Sequence, residues 1–180
     1  MEKNVEINNV SSSKLRNITR EEFVNVITED KADSFAKTFV AKADAFEHWD
    51  NCVGLFLDEA LAGSIIVTIS KRKPAIANLQ LLHTFAAHRK KGVAKKLCEY
   101  GLEFAIMNDS EYFRVSSEPE SVEFYKKIGF RFWGRQKSNC QLSIFRINGN
   151  KFEDGIYHIA DETIRKAVYR KGKGGCVEVF

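Results

Sequence analysis

The stretch over residues 80–104 constrains this chain most, because it joins an apolar strand to an amphipathic helix through a short basic turn. Residues 81–85 are apolar enough to form a buried strand. After the turn, apolar side chains recur in steps of four and three at Val93, Leu97, Tyr100, Phe104 and Met107. This pattern predicts a strand, a turn over 89–94 and a helix with one buried face.

The basic turn has the properties of an anion-binding site. The first N–H groups of a helix have no intrahelical acceptor, and the helix dipole adds partial positive charge at the same end. Gly92 allows the backbone to approach a ligand closely, since it has no side chain. Five cationic residues lie around it: Arg89, Lys90, Lys91, Lys95 and Lys96. The sequence therefore predicts a phosphate site at this turn.

Two other interpretations of the turn stay open when it is taken alone. A basic run before a helix is often only a solvated helix start, and lysine clusters also occur in nuclear-localisation signals and nucleic-acid contacts. A Walker phosphate loop is excluded, because the turn lacks the Gly-Lys-Ser/Thr ending of that motif.

A second stretch, over residues 121–130, favours the phosphate interpretation. Arg89-x-x-Gly92-x-Ala94 resembles the pyrophosphate-binding signature of the GNAT superfamily of acyl-CoA-dependent N-acyltransferases (N-acetyltransferases). One strand later that superfamily carries a Phe-Tyr pair and then Gly-Phe, and the matching residues here are Phe124, Tyr125, Gly129 and Phe130. The resemblance spans roughly residues 50–147. It implies an α/β (α+β) fold with a mixed, mostly antiparallel sheet, a central βαβ unit and flanking helices.

Length and composition are those of one globular domain. The chain has 180 residues, 44% hydrophobic and 29% charged, which is enough to bury a core without disulfides. We predict a GNAT-like acyltransferase domain over 1–148. A basic C-terminal extension over 149–180, a helix plus a short strand, is expected to pack on the same domain. The net charge of +4 permits an anionic ligand without requiring nucleic acid.

The four cysteines are far apart in the sequence and form no C-x-x-C motif: Cys52, Cys98, Cys140 and Cys176. They therefore resemble reduced thiols of a cytosolic protein, and Cys98 and Cys140 are expected to be packing residues. No basic-plus-apolar leader and no apolar run of membrane-spanning length is visible. These features predict a cytoplasmic protein without a membrane partner.

Periodicity and turn residues predict the remaining elements. Thr19 and Glu22 form a capping box that begins a first helix. Pro119 and Gly129 are expected to bound the helix that contains Tyr125. Further helices are predicted over 33–45 and 161–170, and a turn over 11–13. Strands are predicted over 3–8, 52–57, 61–69, 75–85, 112–115, 130–133, 140–147 and 176–180.

The resemblance implies acetyl-CoA, or another acyl-CoA, as co-substrate, and no metal. The pyrophosphate would lie on the backbone N–H groups of the turn, and the pantetheine arm would pair with the end of the preceding strand near His83. A strand N–H would polarise the thioester carbonyl. The implied donor-binding residues are Leu82, Thr84, Arg89, Lys90, Lys91, Gly92, Val93, Ala94 and Lys95.

Two proton transfers are implied by direct attack of an amine on the thioester. Tyr125 matches the family's donor to the leaving thiolate, although an aromatic packing role is also open. The base is undetermined, because the positions that usually supply a carboxylate hold Asn78, Gln80 and Phe113. His83, Glu118 and a water chain are the alternatives. At residue 118 the family usually has Asn, and at Ser121 it usually has Ala.

The sequence thus predicts an N-acetyltransferase for a primary amine, on a small molecule or a peptide. Two alternatives remain open, namely a catalytically degenerate acyl-CoA-binding fold and a nucleic-acid-directed protein that uses the basic extension. His48 and Trp49 are candidates to line the acceptor pocket, or else a surface and a core residue. The acceptor, the acyl chain length and the choice between monomer and homodimer are undetermined.

Overall fold

The computed structural model describes residues 12–29, 34–70, 75–136, 141–148, 151–152 and 176–179. Four helices lie within these ranges: α1 Arg20–Glu29, α2 Ser34–Ala45, α3 Val93–Met107 and α4 Val122–Lys127. The strands within them are β1 Ser13–Asn17, β2 Cys52–Leu57, β3 Ala60–Ser70, β4 Ile76–Thr84, β5 Tyr112–Ser117, β6 Arg131–Gln136, β7 Gln141–Asn148, β8 Lys151–Phe152 and β9 Cys176–Val179.

The strands form a mixed sheet in the order β1-β2-β3-β4-β5-β7-β6-β9, and β8 pairs with β7. Within the described residues, β4 and β5 are the parallel pair and the other neighbours are antiparallel. The connection from β4 to β5 contains α3, as a parallel pair requires a crossover. The predicted fold class, a mostly antiparallel sheet with a central βαβ unit and flanking helices, is confirmed.

The sheet lies between two apolar cores. On one face α3 and α4 pack over strand residues such as Ile65 and Phe113, together with Leu97 of α3. On the other face α1 and α2 contribute Phe23 and Phe39, whose rings stack at 4.5 Å between centroids. Side chains that follow one another along a strand point to opposite faces. The sheet therefore separates the α3 side of the molecule from the α1–α2 side.

Gly63 on β3 allows the first turns of α3 to approach the sheet closely. A Cβ atom at this position would lie 2.5 Å from the carbonyl oxygen of His83 and 2.7 Å from Cγ1 of Val93. Both distances are shorter than a van der Waals contact, so any larger residue would push α3 outward. The start of α3 is thereby held against the end of β4.

β4 and β5 pair over only part of their length. Their parallel register runs from Ile76 to Leu79 of β4, and the last two residues of β5 pair with β7 alone. The β3–β4 register shifts at the same level, which leaves Gln80 as an extra residue in β4. A bulge of this kind bends its strand and increases the local twist. The carboxyl ends of β4 and β5 therefore diverge and leave an opening in the sheet.

Most predicted elements are confirmed within one or two residues, and the capping box is present. Thr19 N–H donates to the Glu22 carboxylate at 2.8 Å, and Glu22 N–H donates to the Thr19 hydroxyl at 3.2 Å. Gly129 has φ 102° just after α4, as a helix C-terminal glycine does. Pro119 begins a short 3-10 helix, and α4 follows it.

The first described strand corrects the sequence prediction. A turn was expected to include Ser13, but Ser13–Asn17 is β1, which pairs antiparallel with β2. All five of its side chains are exposed, so the strand lacks the alternation by which strands are recognised. β9 occurs where the final strand was predicted and pairs with β6. The strand over 3–8 and the helix over 161–170 lie outside the described residues, and the division of the chain at 148 stays a prediction.

Candidate functional site

The turn between β4 and α3 has an unusual backbone. After a 3-10 helix over Ala86–His88, Lys90 adopts φ 63° and Gly92 adopts φ 77°. Positive φ is the left-handed region, which favours glycine. A Cβ atom built at Gly92 would meet no atom within 4 Å, so the space above the glycine is open. The chain therefore enters α3 through a turn that is accessible from solvent.

The N–H groups at the start of α3 are directed into this open space. The first helical backbone bond runs from Lys96 N–H to the Gly92 carbonyl at 3.1 Å. The N–H groups of the three residues before Lys96 therefore have no acceptor within the helix, as in the first turn of any α-helix. Gly92 and Lys95 are exposed beside them. The helix dipole and these donors together make the start of α3 suitable for an anion.

The cationic side chains of the turn differ in what they contact. Lys90 and Lys91 are exposed and form no ion pair within the part of the chain that the structure describes. Lys95 lies 3.8 Å from the Glu99 carboxylate, and Arg89 Nε lies 3.4 Å from the carbonyl oxygen of Thr84. Both contacts are long and therefore weak. Positive charge remains available to a ligand at this turn.

The opening between β4 and β5 begins beside the same turn. Beyond Leu79, no strand in the described ranges lies against the β5 side of β4. Leu82 and Thr84 are half-buried along this segment. The hydroxyl oxygens of Thr84 and Ser117, at the ends of β4 and β5, are buried and have no hydrogen-bond partner among the described residues. Unpartnered polar groups therefore lie at the ends of the two strands that border the opening.

Ser117 was not predicted as a site residue. The sequence places the end of β5 at Val115, whereas the strand continues to Ser117. Small polar residues give a weak strand signal, since they lack the branched or aromatic side chains that favour strands.

Tyr125 is buried between α3 and α4 and is only 5% exposed. Its ring contacts Phe124 and Phe130 edge-on, with centroids 5.1 Å and 5.5 Å away. Burial raises the pKa of the Tyr125 hydroxyl well above its ordinary value, and the neighbouring Cys98 thiol adds to the shift. The hydroxyl therefore remains protonated at neutral pH and can donate a hydrogen bond.

His83 lies on the opposite face of the sheet, under α1 and α2, and is 3% exposed. Four aromatic rings surround its imidazole, with centroid distances between 4.9 Å and 6.3 Å: Phe23, Phe35, Phe39 and Phe85. Phe35 stacks over the imidazole and is itself 43% exposed. A single exposed ring thus separates this side of His83 from solvent.

Glu118 follows β5 directly and precedes the 3-10 helix over Pro119–Ser121. It is exposed, and its carbonyl oxygen accepts a hydrogen bond from Ser121 N–H at 3.0 Å. The predicted donor-binding residues thus lie together at the carboxyl end of β4, in the turn that follows it and at the start of α3. The three predicted catalytic residues are spread out, with His83 on the α1–α2 face, Tyr125 on the α3 face and Glu118 at the end of β5.

Trp49, Cys52 and Cys98 belong to the packing of the domain. Trp49 Nε1 donates to the Asp44 carboxylate at 2.7 Å, and its ring lies 5.8 Å from that of Phe23. Cys52 and Cys98 are buried free thiols, and burial raises the pKa of both to about 12. A thiol at that pKa is almost never a thiolate at neutral pH, so neither is suited to nucleophilic catalysis.

Comparison with known proteins points to one family. The acetyltransferase (GNAT) domain profile matches residues 20–146. This range contains both sequence motifs and the helices on both faces of the sheet. No curated protein sequence gives a significant match. No helix within the described residues is both long and apolar enough to cross a bilayer.

Three solved structures illustrate the similarity of the fold. PaiA N-acetyltransferase from Thermoplasma acidophilum, in complex with coenzyme A, has a TM-score of 0.58 at 16% identity, over 74% of this chain and 98% of that chain. Ard1 from Thermoplasma volcanium has 0.55 at 16% identity, over 73% and 95%. Arabidopsis thaliana Naa50, in complex with the bisubstrate analogue CoA-Ac-MVNAL, has 0.54 at 14% identity, over 74% and 97%.

Proposed function

Because this chain belongs to the GNAT acetyltransferase family, we propose that it transfers an acetyl group from acetyl-CoA to a primary amine. One observation carries the proposal. A basic turn with left-handed Gly92 at the start of α3 stands directly beside an opening in the sheet, where β4 and β5 stop pairing beyond Leu79. The turn suits the pyrophosphate of coenzyme A, and the opening suits the extended pantetheine arm.

Binding of the donor uses groups that the protein leaves available. The phosphates accept hydrogen bonds from the first N–H groups of α3 and approach the ammonium groups of Lys90 and Lys91. The pantetheine amides lie along β4 and take the place of a strand. The buried hydroxyls of Thr84 and Ser117 then gain partners, and burying such groups without partners costs about 1–3 kcal/mol each.

The reaction is a direct displacement. The amine nitrogen attacks the thioester carbonyl carbon, the C–N bond forms and the C–S bond breaks, and coenzyme A leaves as a thiolate. A backbone N–H at the bulge of β4 polarises the carbonyl oxygen. The amine loses one proton and the thiolate gains one. No acyl-enzyme is needed, in agreement with the inert Cys52 and Cys98 thiols.

We assign the proton donor to Tyr125 and the base to His83. Tyr125 is supported by its protonated, buried hydroxyl on the α3 face. His83 is supported by its place on the α1–α2 face, whereas Tyr125 lies on the α3 face. The acid and the base would therefore reach the opening beside β4 from opposite faces of the sheet. An amine entering past Phe35 would reach the imidazole first. Glu118 is the second candidate for the base.

The missing carboxylate favours one competing function, namely acyl-CoA binding without turnover. Asn78, Gln80 and Phe113 stand where the family commonly supplies a base. Mass spectrometry after incubation with acetyl-CoA and a panel of primary amines, peptides with free N-termini and nucleic acids separates the possibilities. We expect an acetylated amine or peptide. Calorimetric binding of acetyl-CoA with no acetylated product in any class would establish the binding-only function instead.

The role of Glu118 can be tested by restoring the family's usual residue. We expect Glu118→Asn to tighten acetyl-CoA binding by up to about five-fold, since removing one exposed carboxylate from the region of an anionic ligand is worth about 0.2–1 kcal/mol. Glu120→Gln on the same 3-10 helix is the matched control and should leave the affinity unchanged. A loss of turnover of 100-fold or more in Glu118→Asn, within the range of about 10²–10⁴ for a general base, would assign the base to Glu118.

A further inference from the structure

A second cleft lies next to the proposed donor site and shares none of its residues. It has a volume of about 630 Å³ and opens between α1, the β2–β3 turn and the segment after β4. Its floor is apolar and includes Phe56, Leu61 and Phe85, and Glu59 and His88 stand among the polar residues around it. None of residues 89–95 lines it. A concave apolar site with a few polar groups is typical of small-molecule binding.

Of the two carboxylates that line the cleft, Glu59 is the one available to a ligand. Glu22 already accepts a hydrogen bond from Arg16 at 2.7 Å and another from Thr19 N–H at 2.8 Å. Arg16 also lies 4.2 Å from the centre of the Phe56 ring and covers it. Glu59 is exposed and forms no hydrogen bond or ion pair within the described ranges. Its carboxylate is therefore unpaired beside the apolar floor, and Lys14 and Arg16 line an adjoining pocket together with it.

The backbone at Glu59 adopts an unfavourable conformation, which costs conformational energy. Asp58 and Glu59 adopt φ 47° and 68°, the left-handed conformation that hairpin turns usually assign to Asn and Gly. For an L-residue this conformation costs about 1–2 kcal/mol. Two hydrogen bonds hold Asp58, because its carboxylate accepts Ser12 N–H at 3.2 Å and its N–H donates to the Ser12 carbonyl at 3.1 Å. An observed strain of this kind justifies looking for a function.

His88 supplies a second polar group. Its Nδ1 atom is buried and has no hydrogen-bond partner among the described residues. Burial lowers the pKa of the imidazole, and the nearby Lys91 lowers it further, so His88 is neutral at neutral pH. A neutral imidazole nitrogen can accept a hydrogen bond from an ammonium or hydroxyl group.

We propose that this cleft binds a small organic cation, with its apolar body against Phe56, Leu61 and Phe85 and its ammonium group on Glu59. The imidazole of His88 accepts a second hydrogen bond from the same ligand. An anionic ligand would be repelled by Glu59, and a neutral apolar one would leave Glu59 and His88 without partners. The site does not depend on the proposed acetyl transfer, because its lining excludes the phosphate turn and the β4–β5 opening.

The test uses three probes that share a phenyl ring and differ in charge: 2-phenylethylamine, 2-phenylethanol and 3-phenylpropionate. Backbone amide shifts in ¹⁵N-labelled protein report both affinity and location. We expect the amine to bind about five-fold more tightly than the alcohol, equivalent to about 1 kcal/mol for an exposed ion pair. The carboxylate should bind least. The shifted amides should be those of Glu59 to Leu61 and of Ala87 and His88, with saturating coenzyme A present.

Two variants connect the binding to the cleft. Glu59→Gln should remove the preference for the amine over the alcohol, whereas Glu103→Gln, a change of the same kind at an exposed position on α3, should leave it intact. Ala60→Trp places a large ring at the exposed edge of the cleft and should block all three probes. Equal binding of the three probes, tightest binding of the carboxylate, or shifts confined to residues 80–84 and 89–95 would overturn the proposal.

Discussion

Gly92→Asp should abolish acetyl-CoA binding in a protein that remains folded. The substitution adds a carboxylate at the turn where the proposed pyrophosphate lies, and a like-charge contact costs several kcal/mol. A loss of at least about 100-fold in affinity is therefore expected, which corresponds to about 2.8 kcal/mol. Isothermal titration calorimetry with coenzyme A measures it directly. The open space around Gly92 means that the new side chain itself meets no steric obstacle.

Gly92→Asn is the matched control, because Asn has nearly the same shape, tolerates positive φ and carries no charge. It should retain most of the affinity that Gly92→Asp loses. Equal and severe losses in both variants would show that shape or backbone conformation, and not charge, is decisive at this turn. Unchanged affinity in a folded Gly92→Asp variant would remove the turn as the phosphate site.

Tyr125→Phe should lower the turnover number by roughly 100-fold while acetyl-CoA binding stays nearly constant. The substitution keeps the ring that packs against Phe124 and Phe130 and removes only the proton donor. General acid–base groups contribute about 10²–10⁴-fold, and a thiolate is a fair leaving group, so the low end of that range is expected. Steady-state kinetics with a coenzyme A thiol reagent gives the rate, and calorimetry gives the affinity.

Two further measurements distinguish catalysis from packing at Tyr125. Phe124→Leu, which changes the adjacent half-buried ring, should lower stability without a comparable effect on turnover. Because burial raises the Tyr125 pKa, the wild-type rate should show no alkaline limb from this hydroxyl below about pH 10. A Tyr125→Phe variant that binds the donor and turns over within threefold of wild type would leave the ring with a packing role only. A threefold loss of rate is well below the loss of about 10² that is the minimum expected of a general acid.

The strand, turn and helix around Gly92 could be predicted from the sequence because their determinants are local, and the phosphate site there stays a prediction. The N–H donors, Gly92 and the lysines all lie within a few consecutive residues, and the helix that follows has clear periodicity. The structure adds the positive φ values of Lys90 and Gly92 and the open space around the turn. The predicted role of the turn, binding a phosphate, depends only on groups within this short segment, namely backbone N–H donors and lysine ammonium groups.

Other features could not be predicted, because they depend on contacts between distant segments. β1 has five exposed side chains, and its pairing with β2 is what defines it as a strand. The bulge at Gln80 shifts the alternation of β4, so the face on which His83 lies cannot be counted from the start of the strand. The second cleft combines Glu59 and His88 from separate elements, and no sequence pattern relates them.

The short register between β4 and β5 also has a mechanical consequence. Within the described ranges, the strand pairing between the half of the sheet that carries α1 and α2 and the half that carries α4 consists of four pairs, from Ile76 to Leu79 of β4. Helix α3 and the core beneath it pack across both halves, so the connection is narrow in strand pairing and continuous in side-chain packing. A donor lying in the opening would contact both halves and supply hydrogen bonds where β4 and β5 do not pair. Amide exchange should then slow on coenzyme A binding at β4 and β5, which the ligand contacts, and also at β7, the neighbour of β5 on the side away from the opening.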